Sequence, residues 1–204
     1  MKLTLGQKAA IIVAAILIVD QIIKVWIKTH MMLGESYSIF GSWSYIHFTE
    51  NYGMAFGLEF WGKVGKIILS LFRIAAVIAI GFYIRHLIKL EKATLGSIVG
   101  LSLILAGALG NIIDSAFYGL IFDHSIGQVA QLFPKGGGYA EFLHGKVVDM
   151  FYFPIIEGVF PSWFPLWGGE EFVFFRPVFN FADAAISVGV IYIILFQRKL
   201  FMHD

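Results

Sequence analysis

The chain contains no cysteine. Disulfides, thiolate metal centres and a cysteine nucleophile are therefore excluded, whichever compartment its loops face. Charge is scarce as well: Asp, Glu, Lys and Arg make up 14% of the 204 residues, against about 25% in an ordinary soluble protein. The 15 basic and 14 acidic residues leave a net charge of +1, so there is no basic surface large enough for nucleic acid. Familiar hydrolase signatures are missing too. There is no G-x-S-x-G elbow, GLSL around Ser102 lies deep in an apolar run, and no H-E-x-x-H marks a zinc protease. No internal repeat is visible. No small-x-small cleavage site follows the opening MKLTLGQKAAIIVAAILIVDQIIK, which reads as an uncleaved first helix rather than a signal peptide.

What the chain does have is hydrocarbon. Apolar residues are 58% and aromatics 17% of the composition, with a mean hydropathy of +0.79, which defines an integral membrane protein. The length fits a single membrane-embedded domain, 1–204. Four segments are predicted to cross the bilayer, 8–28, 66–88, 93–114 and 180–198, each near the roughly 20 residues that a hydrocarbon core requires. The fold class expected is an all-α integral membrane protein with four transmembrane helices, a small extracytoplasmic β-sheet and an extended outer loop. Lys2 and Lys8, then Arg85, Lys89 and Lys92, then Arg198 and Lys199 place both termini and the central turn in the cytoplasm by the positive-inside rule. The outer β region is expected over 34–60, where runs such as SYIHFT alternate and glycines interrupt. The outer loop is expected over 115–177, including the flexible PKGGGYAEF stretch and the block FPSWFPLWGGEEFVFF. Trp163 and Trp167 in that block suit a headgroup interface. GSIVG, at 96–100, reads as a small-residue helix contact.

Charged side chains inside spans are costly and generally face the bundle interior. At 1.5 Å per residue, Asp20 lies roughly 18 Å above Lys8, Asp183 roughly 22 Å above Arg198, Asp114 roughly 33 Å above Lys92 and Arg73 roughly 18 Å above Arg85. All are thus in the outer half or at its edge. Asp20 and Lys24 are four apart, while Asn111 and Asp114, and likewise Asn180 and Asp183, are three apart, so each pair shares a helix face. They form either interhelical polar clasps or one converging site. Two carboxylates sharing a proton are a sufficient peptidase: the ionised one deprotonates a water, and the protonated one polarises the carbonyl and protonates the leaving amine. Such a site takes no cofactor and no metal. Asp123, His124, Glu141 and His144 read as solvated loop residues, and His30 and His47 as interface residues.

The stretches VDQIIKVWI, ENYGMAFG, GALGNIID, HGKVVDMFYFP and FNFADAAI occur in this order along the chain. Each is a weak pattern alone, but together the sequence resembles the lipoprotein signal peptidases (signal peptidase II), aspartyl membrane enzymes that trim bacterial prolipoproteins. The resemblance implies an intramembrane aspartic endopeptidase with a catalytic dyad at Asp149 and Asp183. Supporting or substrate-binding positions implied by motif are Asp20, Lys24, Asn51, Gly53, Asn111, Asp114 and Asn180. The implied substrates are diacylglyceryl-modified prolipoproteins, cut just before the lipidated cysteine. The other implied partner is membrane lipid, and a monomer in the bacterial inner membrane with its site toward the outer leaflet is expected.

In that frame Asn51 and Asn180 can orient peptide or developing oxyanion, Asn111 and Asp114 brace the dyad, and Met54 and Phe56 are apolar contacts for lipid or signal peptide. The chain departs from the family in two places. Ser115 stands where an arginine commonly follows the G-N-x-x-D aspartate, leaving Arg73 or Arg176 as substitutes, and the segment between Asp114 and Asp149 is unusually long. That length admits Asp123 as a second alignment for the partner of Asp183. Asp149 is preferred because VVDMFYF is apolar and DHSIGQ looks wet, with 117–143 then an inserted outer loop. Two other functions compete: a small proton-coupled membrane carrier using embedded carboxylates, and a structural assembly subunit.

Overall fold

A computed structural model describes residues 2–52 and 62–198. The elements run α1 (Leu5–His30), β1 (Ser36–Phe40), β2 (Ser44–Asn51), α2 (Gly62–Lys89), α3 (Leu95–Ile113), α4 (Gly119–Ile121), β3 (Val147–Tyr152), β4 (Ile156–Val159), β5 (Glu171–Phe174), β6 (Val178–Phe179) and α5 (Phe181–Phe196). Three of the helices begin at capping boxes. Thr4 with Gln7, Thr94 with Ser97 and Asn180 with Asp183 each satisfy orphan N–H groups reciprocally. The third of these boxes uses a residue expected at the site, so the start of α5 and the placement of Asp183 are one event.

Among the described residues, three helical stretches are long and apolar enough to cross a membrane: Leu5–His30, Val64–Lys89 and Leu95–Ile121. The last joins α3 to α4 through a π-helical turn, Asp114–Tyr118, so the helix does not stop at Asp114 as its charge suggests. Ser115 Oγ bonds back to the Asn111 carbonyl at 3.0 Å inside this turn. The predicted span 180–198 is shorter in the structure. α5 has 16 residues, about 24 Å at the usual rise, and Gln197 caps it. α3 and α5 pack backbone to backbone. A Cβ on Gly107 would lie 2.2 Å from the Ala182 carbonyl oxygen, and one on Gly100 2.5 Å from the Ile193 side chain. The GSIVG stretch thus serves the small-residue contact expected of it.

The strands correct the expected outer loop. β1, β2, β3 and β6 form one antiparallel sheet in that order, so the sheet of 34–60 extends to β3, drawn from 115–177, and to β6 just after it. Thr49 pairs with Asp149 and Asn51 with Val147, which sets Asp149 on a central strand. β4 and β5 form a separate hairpin. The segment between α4 and β3 is not a loose loop either. Phe122, Ser125 and Ala130 are buried, Ala130 N donates to the Lys28 carbonyl at 3.2 Å, and Tyr139 N donates to the Phe122 carbonyl at 2.9 Å. DHSIGQ and PKGGGYAEF, expected wet and flexible, are largely exposed, while Ser125 and Ala130 tie the segment to the end of α1, because buried backbone groups need partners.

Two apolar clusters result. Ala9, Ile84, Leu87, Ile98, Leu101 and Ile193 pack at one end of the helices, and Ile27, Met31, Phe48, Tyr118, Phe122, Val148 and Met150 pack beneath the sheet. Asp20 on α1, Asn111 on α3 and Asp114 at the start of the π-helical turn fall between them in sequence, and all three are buried.

Candidate active site

The layer between the two cores is built on Lys24, which is fully buried. Its ammonium lies 3.0 Å from Asp20 Oδ2, one turn earlier on α1, and 2.9 Å from Asp114 Oδ2 on the α3 extension. It also donates to Asn111 Oδ1 at 3.0 Å. All three donors of the ammonium are used. Both carboxylates reach further: Asp20 accepts the Ala182 N–H at 3.0 Å on Oδ1, its other oxygen, and Asp114 accepts the Val148 N–H at 3.2 Å on Oδ2, the oxygen that also faces Lys24. Ala182 precedes Asp183 and Val148 precedes Asp149, so one lysine indexes the backbone of both acid-bearing elements. Gln21 closes the ring, donating to Asp20 Oδ2 and Asp114 Oδ1 and accepting from the Tyr118 hydroxyl.

Two asparagines carry this order to the outer acids. Because lysine only donates, Asn111 must present Oδ1 to it, which turns Nδ2 toward Asp183 Oδ1 at 2.8 Å. Asn180 Nδ2 donates to Asp149 Oδ1 at 2.7 Å and to Asn111 Oδ1 at 3.1 Å, while its Oδ1 accepts the Asp183 N–H at 2.8 Å. Asn51 Nδ2 donates to Asp149 Oδ2 in a close contact. Asp149 and Asp183, from a strand and a helix start, therefore share one amide.

The two acids differ in setting. Asp149 is 3% exposed, and burial pushes its carboxyl up to about 8; the Asp183 charge adds to the rise, and the Asn180 hydrogen bond opposes it. Asp183 is half-open and sits in the first turn of α5, where negative charge interacts favourably with the helix dipole. Arg73, half-buried on α2, is the cation whose field falls on Asp183, then Asp114 and Asp149. Arg176, the other candidate substitute for the missing family arginine, is exposed.

A second buried cluster lies beside the first. Lys28, one turn beyond Lys24 and fully buried, bonds Glu50 Oε1 at 2.6 Å and Ser125 Oγ at 2.8 Å, beneath the Phe122 and Tyr139 rings. Glu50 precedes Asn51, so this cluster fixes the strand that presents Asn51 to Asp149. A serine beside a lysine suggests a nucleophile, but Ser125 is fully buried and the lysine is bound to Glu50. The chemistry there is structural.

The residues expected at the site thus come together: Asp20, Lys24, Asn51, Asn111, Asp114, Asp149, Asn180 and Asp183 form one hydrogen-bonded set. Gly53, Met54 and Phe56 lie outside the described residues. Asp123 does not join the set. Its carboxylate accepts the Gln131 N–H at 2.7 Å and Gln128 Nε2 at 3.3 Å within its own segment. Gln21, Lys28, Glu50 and Ser125 were not expected. Lys28 had a signal, since Asp20, Lys24 and Lys28 are spaced by four along one face. Among the described residues, no group of three His, Asp or Glu is arranged to hold a metal ion.

Helices with a small sheet and a buried carboxylate layer define a membrane enzyme. A solved bacterial membrane enzyme, determined in meso at 1.9 Å resolution, superposes with a TM-score of 0.62 at 27% identity, covering 94% of this chain and 93% of that one. The relationship is closer in sequence. A lipoprotein signal peptidase of Porphyromonas gingivalis is 55% identical over 194 residues, 95% of this chain and 84% of the relative. One of Amoebophilus asiaticus is 38% identical over 183 residues, 89% of this chain and 73% of the relative. The profile described as signal peptidase (SPase) II matches residues 12–199, and the chain belongs to that family.

Removing the shared cation tests the layer. Lys24→Met leaves Asp20 and Asp114 buried without a counter-charge, and the expected loss is about 3–5 kcal/mol of stability, read from unfolding in detergent micelles. A variant that unfolds together with the parent protein would show that the two carboxylates have another support.

Proposed function

We propose that this chain is a lipoprotein signal peptidase of the aspartic type, removing the signal peptide of diacylglyceryl-modified prolipoproteins just before the lipidated cysteine. The observation that carries the reading is the Asn180 side chain, which accepts from Asp183 N and donates to Asp149, within a family of peptidases. The carrier reading finds no support: the relatives described above are peptidases, and the acids form one clustered set.

In the proposed reaction Asp183, the more open acid, is the base. It takes a proton from a water, which attacks the scissile carbonyl. Asp149 holds the shared proton and gives it first to the carbonyl oxygen, so that no free oxyanion develops. Collapse of the tetrahedral intermediate expels the amine of the lipidated cysteine, which leaves with a proton supplied by the pair. Asn51 and Asn180 steer Asp149 from both of its oxygens, and Asn111 steers Asp183. Asp20, Lys24 and Asp114 are the brace behind them. Arg73 supplies the positive charge that Ser115 cannot.

The same reading places the enzyme in the inner membrane as a monomer, with α5 as a fourth span. Its 16 residues are fewer than the usual 20 or so, a shortfall that local bilayer thinning accommodates at modest cost. Both termini are cytoplasmic and the sheet faces outward. A diacylglyceryl anchor holds its cysteine near the outer headgroups, the level at which α1 and the α3 extension meet the sheet.

Three tests follow from this reading. Asp149→Asn and Asp183→Asn, nearly isosteric amides, each lower cleavage of a diacylglyceryl-modified precursor by at least about 100-fold, while Asp123→Asn keeps most activity in the same gel assay. The reverse ranking would transfer the role to Asp123.

Cleavage also declines as pH rises through about 8, where Asp149 gives up its proton. Because the folded state holds that proton more tightly than an ordinary aspartate of about 3.9, Asp149 stabilises the fold fully at low pH. That contribution is lost as pH climbs toward about 8. Thermal midpoints measured against pH will therefore fall more steeply for the parent than for Asp149→Asn; parallel curves would remove the raised acid.

For topology, Lys135→Cys will react with an impermeant maleimide on intact spheroplasts and Lys89→Cys only after lysis. Labelling of the second without lysis would invert the assignment.

A further inference from the structure

The peptidase reading leaves the β4–β5 hairpin unused. It stands apart from the four-stranded sheet, and a two-stranded hairpin alone is marginally stable in water. Its tip is prefolded nonetheless. The Phe160 ring is the hub, with centroids 4.9 Å from Phe164, 4.7 Å from Phe172 and 6.2 Å from Trp167. Much of the surrounding apolar surface is bare: Leu166 is 90% and Trp163 77% exposed, and Trp167 of the hub itself is 51% exposed. Leu166 also has φ +71°, a left-handed conformation usual for Gly or Asn and uncommon for a bulky residue. A turn built for water would place a small polar residue there.

Charge and connectivity identify what covers this surface. From Gly158 to Gly169 there is no charged residue, and Glu157, Glu170 and Glu171 sit at or below the neck. Such a tip has nothing to pair with a charged partner, while Trp beside Leu on a polar neck is the composition of a membrane-interface anchor. The hairpin leaves β3 and returns through β6, whose Phe179 lies two residues before the first turn of α5. Strands of four residues reach only about 13 Å, so the tip stays within reach of the bilayer that α5 enters. We propose that the hairpin is a membrane-dipping wedge, with residues 160–169 seated at the boundary between headgroups and acyl chains and the neck carboxylates left in water. The wedge fixes the sheet, and the strand bearing Asp149, at a set height over the lipid. This goes beyond the peptidase reading and does not depend on cleavage.

The absence of cysteine makes the test direct. Leu166→Cys in the full chain takes one environment-sensitive fluorophore, with Lys135→Cys, on an exposed stretch, as the reference. Both proteins are reconstituted in phosphatidylcholine vesicles and titrated with aqueous iodide, or prepared with a lipid spin-labelled near the headgroup. The wedge predicts iodide quenching at position 166 at most about one third of that at position 135, the shielding expected of an interfacial anchor, and lipid quenching at position 166 alone. Neither changes with added salt. Equal iodide quenching at the two positions overturns the proposal. Shielding from both quenchers overturns it too, since protein rather than lipid would then cover the tip. If Leu166→Cys does not fold, Trp163→Cys labelled in the same way is read by the same criteria.

Discussion

A lysine ammonium buried between two carboxylates is the interaction on which the rest of the site depends. Lys24 neutralises Asp20 and Asp114 and orients Asn111, so its donors together control the start of α5 and the strand β3. Through Asp20 it holds the first turn of α5, through Asp114 the strand β3, and through Asn111 the carboxylate of Asp183. A buried cluster of this kind contributes little net stability, because desolvation cancels most of the Coulomb gain. Its contribution is geometric. The observed arrangement of α1, α3, α5 and β3 uses all three donors of the ammonium, and a slip would leave a charge unpaired in an apolar setting.

The same geometry makes the two outer acids unequal. Asp149 arrives on a central strand, closed over by Asn51 and braced indirectly by the Lys28, Glu50 and Ser125 cluster. Asp183 arrives at a helix start, where the chain is open on one side and the backbone donors point outward. Burial therefore acts mainly on the strand acid. A pair of carboxylates becomes an acid and a base by such differences in environment. The long segment after α4 contributes here: it packs Phe122, Ser125 and Tyr139 around Lys28 and thereby steadies the strand that carries Asn51.

Much of this was legible in the sequence, for a physical reason. A charge in an apolar run is expensive, so Asp20, Lys24, Asp114 and Asp183 announce themselves, and their spacing assigns them to shared faces. The apolar context of Asp149 distinguished it from Asp123 in the same way. What could not be read was long-range pairing. Glu50 and Ser125 look like ordinary outer-segment residues, and only the fold brings them to Lys28. The helix through Asp114 was also hidden, because a charge normally marks the end of a span, whereas here Lys24 compensates it and the helix runs on through a π-turn. DHSIGQ is mostly exposed, as its polarity suggests, and Ser125 is the residue within it that finds a buried partner, Lys28.

Charge balance explains why the proposed proton and Arg73 belong to one design. Four carboxylates, Asp20, Asp114, Asp149 and Asp183, stand against Lys24 and the field of Arg73, formally two negative charges in excess. Between two apolar cores such an excess is poorly screened. A proton on Asp149 halves it, in keeping with the upward push on that group. Arg73 limits the remainder from a third direction, leaving α1 and α3 to hold the inner pair. With Ser115 lacking charge, removal of Arg73 would leave Lys24 as the cation ion-paired with these acids, and the field of buried Lys66 reaching Asp114. The shared proton proposed for the resting state is then in keeping with the number of cations the layer holds, as is the reactivity proposed for Asp149 and Asp183.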